Sequence, residues 1–117
     1  MNKLSRHLGN EYQMKQAIKN YHPIPTITGA FLNKEGTQFV TIDNFDMGKM
    51  VYKWTIHPIS ITGSYSHGFK LITIFGKKYY LHRLMAETFV KNPKNLKVVY
   101  HKDGDHRNNH ANNLDWR

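Results

Sequence analysis

The chain has 117 residues and carries 17 Lys and Arg against 8 Asp and Glu, a formal net charge of +9 at pH 7. It contains no cysteine, which excludes disulfide bonds and thiolate metal sites. No apolar run approaches the ~20 residues of a membrane-spanning helix, and the N-terminus lacks the apolar stretch of a secretion signal. These features predict a compact, soluble, cytoplasmic protein that does not insert into a membrane.

The positive charge is concentrated in the second half of the chain. Residues 61–117 contain ten Lys and Arg against four Asp and Glu, whereas residues 1–60 contain seven against four. A basic segment attracts polyanions, chiefly nucleic acid, because binding releases the counterions that are condensed on phosphates. The alternative is a basic surface that serves only to keep the protein soluble.

The first 30 residues are predicted to form a helical segment followed by a linker. A four-residue spacing of apolar side chains is shared by Leu4, Leu8 and Tyr12. This spacing predicts a helix over residues 2–20, which Gly9 could divide into two short helices. The two prolines of the segment 21–25 end the helix, because proline has no backbone N–H and restricts the residue before it.

The next segment, residues 31–83, is predicted to form a small antiparallel β-sheet. Its apolar residues have a period of two and are rich in β-branched and aromatic types. The predicted strands lie at residues 39–42, 51–56, 69–75 and 78–82. A tight turn at Gly76-Lys77 joins the last two as a hairpin. Because a basic ribbon of this kind can enter the major groove, we expect this sheet to bind DNA.

The last segment, residues 84–117, contains a dense group of polar residues. An apolar stripe predicts a short helix over residues 83–90, and a strand at 98–100 leads to His101. From His101 to Asn113 the sequence is HKDGDHRNNHANN, and a strand at 114–116 follows. Such a density of Asn and Asp is typical of a loop held by hydrogen bonds between side chains and backbone.

The order of these residues resembles the HNH endonuclease family of phages and mobile introns. Members of that family often carry His-x-Asp-Gly, then Asn-Asn, then Asn-Leu-x-Trp. The matching residues here are His101, Asp103, Gly104, Asn108, Asn109, Asn113, Leu114 and Trp116. The residues before this motif are also similar to those that usually precede it in the family. They are Gly76-Lys77-Lys78, then Leu81-His82-Arg83-Leu84-Met85-Ala86, then Asn92-Pro93. The resemblance covers residues 68–116.

The predicted elements give an α+β fold in which an N-terminal helix and the antiparallel sheet come first, and the resemblance implies that a ββα-metal-like HNH motif follows them. It implies that His101 acts as the general base on the attacking water and that Asn113 orients its imidazole by a hydrogen bond. It also implies a single divalent cation, Mg²⁺ or Mn²⁺, at the scissile phosphate of double-stranded DNA.

Two departures from the family pattern bear on this cation. Tyr100 precedes His101 at a position where members usually have an Asp or Asn ligand. The helix that carries the remaining ligand in the family would follow the Trp116 strand, and this sequence stops at Arg117 without it. The motif is therefore expected to lack its final helix, and cleavage by this chain stays open. Asp103, Asp105 and His110 are the candidates for replacement ligands.

Three functions compete on these observations: a DNA endonuclease, a DNA-binding regulator of nuclease descent that no longer cuts, and a phage protein that binds a host protein. The first two share a set of expected DNA contacts. These contacts are Lys70, Lys77, Lys78, Arg83, Lys102, His106 and Arg107. The third function would use the same scaffold to bind an acidic protein partner.

Overall fold

The computed structural model describes residues 5–46, 48 and 50–117, which form an α+β fold with two helices and antiparallel sheets. The first sheet has five strands in the order β1-β5-β4-β3-β2. Its strands are β1 (Ser5–Gly9), β2 (Tyr21–Pro23), β3 (Ala30–Asn33), β4 (Gln38–Asp46) and β5 (Val51–Pro58). Helix α1 (Glu11–Ala17) packs on one face of this sheet, where Met14 lies in a cluster with Val40 and Trp54.

The predicted helix over residues 2–20 is wrong at its beginning. Residues 5–9 form strand β1, which pairs with β5 at the edge of the sheet. The helix begins only after Asn10, whose side chain accepts a hydrogen bond from the Gln13 backbone at 2.8 Å while the Gln13 side chain accepts one from the Asn10 backbone. This capping box sets the start of the helix. Leu8 is 65% exposed, so the four-residue spacing of apolar side chains does not correspond to a buried helical face. Leu4 lies outside the described residues.

The single sheet predicted for residues 31–83 is divided between two sheets. Residues 5–9 and 21–23 belong to the same sheet as residues 30–58. A separate three-stranded sheet follows, made of β6 (Tyr65–Ser66), β7 (Phe69–Ile74) and β8 (Lys77–Tyr80). The hairpin between β7 and β8 is confirmed, but its turn is Phe75-Gly76, with φ of +49° and +81°. Two successive positive φ values suit the twist of a two-residue hairpin.

The C-terminal elements follow the predicted order. Helix α2 (Leu81–Phe89) begins two residues earlier than expected and is followed by β9 (Val99–His101). A single 3-10 turn at Ala111–Asn113 precedes β10 (Leu114–Trp116), which pairs antiparallel with β9. Within the residues that the structure describes, no helix is long and apolar enough to cross a membrane.

One apolar core joins the five-stranded sheet to the C-terminal elements. It is formed by residues of β3, β4, β7, α2, β9 and β10 that are almost fully buried. Its members include Ala30, Leu32, Phe39, Ile72, Ile74, Leu81, Leu84, Met85, Val99, Leu114 and Trp116. Because α2 and β10 contribute to the same core as the first sheet, the chain is expected to unfold as one cooperative unit.

We expect Leu32→Ala to lower the free energy of unfolding by about 2–5 kcal/mol, because Leu32 is 0% exposed and its truncation leaves a cavity in the shared core. Leu8→Ala is the matched control on the same sheet, and at an exposed site it should change stability by roughly 0.5 kcal/mol or less. Urea denaturation followed by circular dichroism measures both. Two separate transitions in the Leu32→Ala protein would contradict the single core.

Candidate functional site

His101 is the last residue of β9 and is buried, with only 6% of its surface exposed. Its Nε2 lies 2.9 Å from Oδ1 of Asn109. An amide oxygen can only accept, so Nε2 carries the proton and donates to it. Among the described residues, no group forms a hydrogen bond with the other ring nitrogen, Nδ1, which is buried. His101 is therefore oriented by Asn109 through Nε2, and Nδ1 is the ring nitrogen left for another contact.

Three other rings surround His101 and together form what we call the imidazole cluster, made of Phe69, His82, His101 and His106. The Phe69 ring stacks on His82 at a centroid distance of 4.4 Å and on His106 at 4.3 Å. The His101 ring lies 5.4 Å from that of His82 and 5.2 Å from that of His106. Phe69 comes from β7, His82 from α2 and His106 from the loop after β9, so the cluster joins three elements.

Burial within this cluster lowers the pKa of His82 to about 4. The loss of solvation is the main cause, and the neighbouring His101, Arg83 and His106 add to it. Its Nδ1 atom is buried, and no residue in the described part of the chain forms a hydrogen bond with it. Desolvation disfavours the charged form of an imidazole, so His82 is neutral at physiological pH and packs as an aromatic ring against Phe69.

The residues between β9 and β10, 102–113, form a loop held by its own polar side chains, which we call the asparagine loop. Its central acceptor is the Asp103 carboxylate. Oδ1 accepts from the Asp105 backbone at 2.8 Å and from the Asn113 side chain at 2.9 Å, and Oδ2 accepts from the Asn108 side chain at 2.9 Å. These bonds, chiefly the one from Asn108, lower the pKa of Asp103 to about 2. The composition of the segment predicted such a loop, and the structure confirms it.

Asn113 has a different place from the one that the resemblance implied. Its Oδ1 accepts from the Asp103 backbone at 3.2 Å, and its Nδ2 donates to Asp103 and to the Asn108 carbonyl at 2.9 Å. The amide that contacts His101 is that of Asn109 instead. Asn113 thus closes the loop, and Asn109 orients the imidazole. Asn109 belongs to the Asn-Asn pair of the motif, but spacing alone did not show which of the Asn109 and Asn113 amides contacts His101.

The described residues do not fit the divalent cation that the family implies. The Tyr100 ring lies under the Arg117 guanidinium, 5.0 Å from its centroid, and a neutral phenol is a poor ligand for a hard cation. The replacement candidates are already engaged in the asparagine loop: both Asp103 oxygens accept from neighbours, Asp105 accepts from the Arg107 backbone at 2.9 Å, and His110 Nδ1 accepts from the Asn112 backbone at 3.2 Å. In the described part of the chain, no group of three or more His, Asp or Glu side chains could hold a metal ion.

Lys70, one of the predicted DNA contacts, is buried inside the protein with 7% exposure. Its ammonium donates to the Thr62 carbonyl at 3.0 Å and lies 5.1 Å from the Tyr65 ring centroid. Burial lowers the pKa of Lys70. This placement does not fit a contact with a phosphate or a base edge, because the ammonium is turned toward β6 and the loop that precedes it.

The other predicted contacts are exposed, but only some of them lie near His101. His106 belongs to the imidazole cluster, and Arg83 lies beside His82 at the start of α2. Lys102 and Arg107 belong to the asparagine loop. Lys77 and Lys78 lie at the far end of β8, about 10 Å and about 7 Å along the strand from Tyr80.

Cationic and aromatic side chains share a cavity of about 390 Å³ beside the imidazole cluster. It is lined by His67, Phe69, Tyr80, His82, Arg83, Lys97, Val98 and Val99. The Arg83 guanidinium donates to the Lys97 carbonyl at 2.9 Å and lies 5.7 Å from the Trp116 ring centroid. These contacts hold Arg83 in place at the rim of the cavity. The sequence predicted Arg83 but not Phe69, whose apolar character indicated only a strand.

The low pKa of His82 makes stability depend on pH. A histidine in an unfolded chain has a pKa near 6.5. As the pH falls from about 6.5 to about 4, His82 therefore binds a proton in the unfolded chain but not in the folded protein. We expect the melting temperature to fall over this interval, and His82→Phe, which keeps a ring against Phe69, to reduce that fall. His67→Gln removes an exposed imidazole and is the control. An equal pH dependence in the wild-type and His82→Phe proteins would contradict this account of His82.

Comparison with known proteins identifies two relatives, both described as uncharacterized HNH endonucleases of Acanthamoeba polyphaga mimivirus. One is 48% identical over 40 residues, which is 34% of this chain and 12% of the relative. The other is 40% identical over 85 residues, which is 70% of this chain and 21% of the relative. The chain thus spans about a fifth or less of the length of these relatives. No family model and no solved structure matches it. The two similarities support an HNH endonuclease-like family for this chain.

Proposed function

We propose that this chain binds double-stranded DNA through the basic residues of its second half. The observation that carries the proposal is their exposure. Nine of the ten Lys and Arg in residues 61–117 are exposed, all except Lys70. They are Lys77, Lys78, Arg83, Lys91, Lys94, Lys97, Lys102, Arg107 and Arg117. Within the described residues, none of these nine cations forms an ion pair with a carboxylate. Their charge is therefore available to a polyanion.

The position of some of these cations supports nucleic acid over another polyanion. Arg83 and Lys97 line the cavity beside the imidazole cluster, and Arg83, Lys91 and Lys97 line a neighbouring cavity of about 720 Å³ along α2. A phosphate backbone that follows both cavities would pass beside His82 and Tyr80. The two relatives, named HNH endonucleases, support the same partner, because an endonuclease acts on nucleic acid.

Phosphodiester hydrolysis is the second candidate function, and a single observation favours it. His101 has its Nε2 fixed by Asn109 and its Nδ1 lone pair unused, which is the state that a general base requires. The carboxylates and imidazoles that would hold a cation are engaged within the asparagine loop. We therefore propose that this chain by itself binds DNA without cutting it.

Binding should weaken steeply with salt, because each phosphate contact releases counterions and contributes about 0.9 to the slope of log affinity against log salt. We expect the double variant Lys102→Ala, Arg107→Ala to reduce that slope by roughly 2. Lys19→Ala, an exposed cation next to α1, is the control and should leave the slope unchanged. Fluorescence anisotropy with a short duplex from low to moderate salt measures all three proteins. A salt-independent affinity, or none at low salt, would argue for the protein-partner alternative.

Supercoiled plasmid separates binding from cleavage. In Mg²⁺ or Mn²⁺ we expect a mobility shift of the plasmid without conversion to the nicked form, and the same result for His101→Ala. The physical reason is that the described residues do not assemble the cation site. Nicking that requires the cation and disappears in His101→Ala would establish the second candidate function and leave the binding proposal intact.

A further inference from the structure

The turn between β3 and β4, residues 34–37, is built as a rigid unit by Asn33. The Asn33 side chain accepts from the backbones of Thr37 at 2.9 Å and Gln38 at 3.0 Å, and it donates to the Thr37 hydroxyl at 2.7 Å. Its carbonyl accepts from the Gly36 backbone at 3.1 Å. Asn33 is only 8% exposed, so these bonds are shielded from water and hold the turn in one shape.

This turn packs directly against the asparagine loop of the C-terminal segment. The Ala111 backbone donates to the Lys34 carbonyl at 2.9 Å. A Cβ atom placed on Gly36 would lie 2.7 Å from the carbonyl oxygen of Asn109 and 3.2 Å from its carbonyl carbon. Gly36 also has a φ of +71°, a conformation that side chains disfavour. Glycine is therefore required at this position both for its backbone conformation and for the close approach of Asn109.

Asn109 connects this turn to the imidazole cluster. Its backbone carbonyl meets Gly36, and its side-chain oxygen accepts from His101 Nε2 at 2.9 Å. Asn109 is 7% exposed and has little room to move away from either partner. A shift of its backbone by a few tenths of an ångström would lengthen the bond to His101.

We infer that the 34–37 turn of the N-terminal sheet positions His101, with Gly36 as a positioning residue that acts through Asn109. The turn fixes the proton on Nε2 and leaves Nδ1 as the basic nitrogen. Any use of that nitrogen toward a phosphodiester rests on the proposed function, but the positioning itself does not. The N-terminal sheet thereby contributes to the site as well as to the core.

The test is the tautomer of His101, measured by ¹⁵N NMR of histidine-labelled protein without DNA or metal. The His101 signals are assigned by their loss in His101→Gln. In the wild-type protein we expect the two nitrogens to be well separated, with Nε2 protonated. In Gly36→Ala we expect the separation to shrink toward the average of the two tautomers, because the added methyl group displaces Asn109.

Gly76→Ala is the matched control. Gly76 has a φ of +81°, close to that of Gly36, but an added Cβ would meet nothing within 4 Å. It carries the same backbone strain without the contact, so its His101 signals should match those of the wild type. Asn33→Ala loosens the turn without adding an atom and should shift the His101 signals in the same direction as Gly36→Ala. It decides the matter if Gly36→Ala does not fold.

Two results would overturn the inference. One is a wild-type spectrum in which His101 carries its proton on Nδ1. The other is a Gly36→Ala protein that folds and has wild-type His101 signals. If Gly36→Ala does not fold, wild-type His101 signals in a folded Asn33→Ala protein overturn the inference. Neither result depends on binding to a duplex, so a failure here is distinct from a failure of the proposed function.

Discussion

The hydrogen bond from His101 to Asn109 is the contact on which the arrangement of the candidate site depends. It fixes the proton on one ring nitrogen, and the other, buried nitrogen has no hydrogen-bond partner within the ranges that the structure describes. An unsatisfied buried polar atom costs free energy, about 1–3 kcal/mol in typical cases. In the second candidate function proposed above, this imidazole would act as the general base.

The surroundings of His101 explain how the bond persists. On one side the asparagine loop is closed by Asp103, whose carboxylate accepts three hydrogen bonds from within the loop. On the other side Phe69 and His106 cover the ring of His101. The same closure withdraws Asp103 from other ligands. Among the described residues, the bonds that hold the loop also engage the Asp103 carboxylate, and His101 stays oriented by Asn109.

The sequence predicted the C-terminal half better than the N-terminal half, and the reason is physical. Residues 81–116 have local signals: an apolar stripe for α2, Asn92-Pro93 at its end, and a motif whose turn residues specify the loop. Strand β1 has no such signal, because its pairing with β5 is a contact between residues more than 40 positions apart. The exposed Leu8 of β1 fits the four-residue spacing of a helix, although it does not lie on a buried face.

Within the candidate site, the types of the functional residues could be predicted from the sequence, but their hydrogen-bond partners could not. Charge indicated Lys70 as a DNA contact, but its long side chain lies inside the protein and bonds to Thr62. The resemblance implied that the amide of Asn113 orients His101, but in the three-dimensional loop the amide that contacts His101 is that of Asn109. No pattern in the sequence indicated a role for Gly36, since that role depends on its contact with Asn109, 73 positions later.

The most direct test of the account is a map of backbone amide shifts on addition of a short duplex at low salt. The account predicts that the changes center on the rim of the cavity beside the imidazole cluster, at residues 66–69, 82–83 and 97–107. It also predicts that the amides of α1 and β1 stay unchanged. Changes confined to residues 5–58, or spread evenly over the chain, would contradict a DNA-binding surface organised around His101.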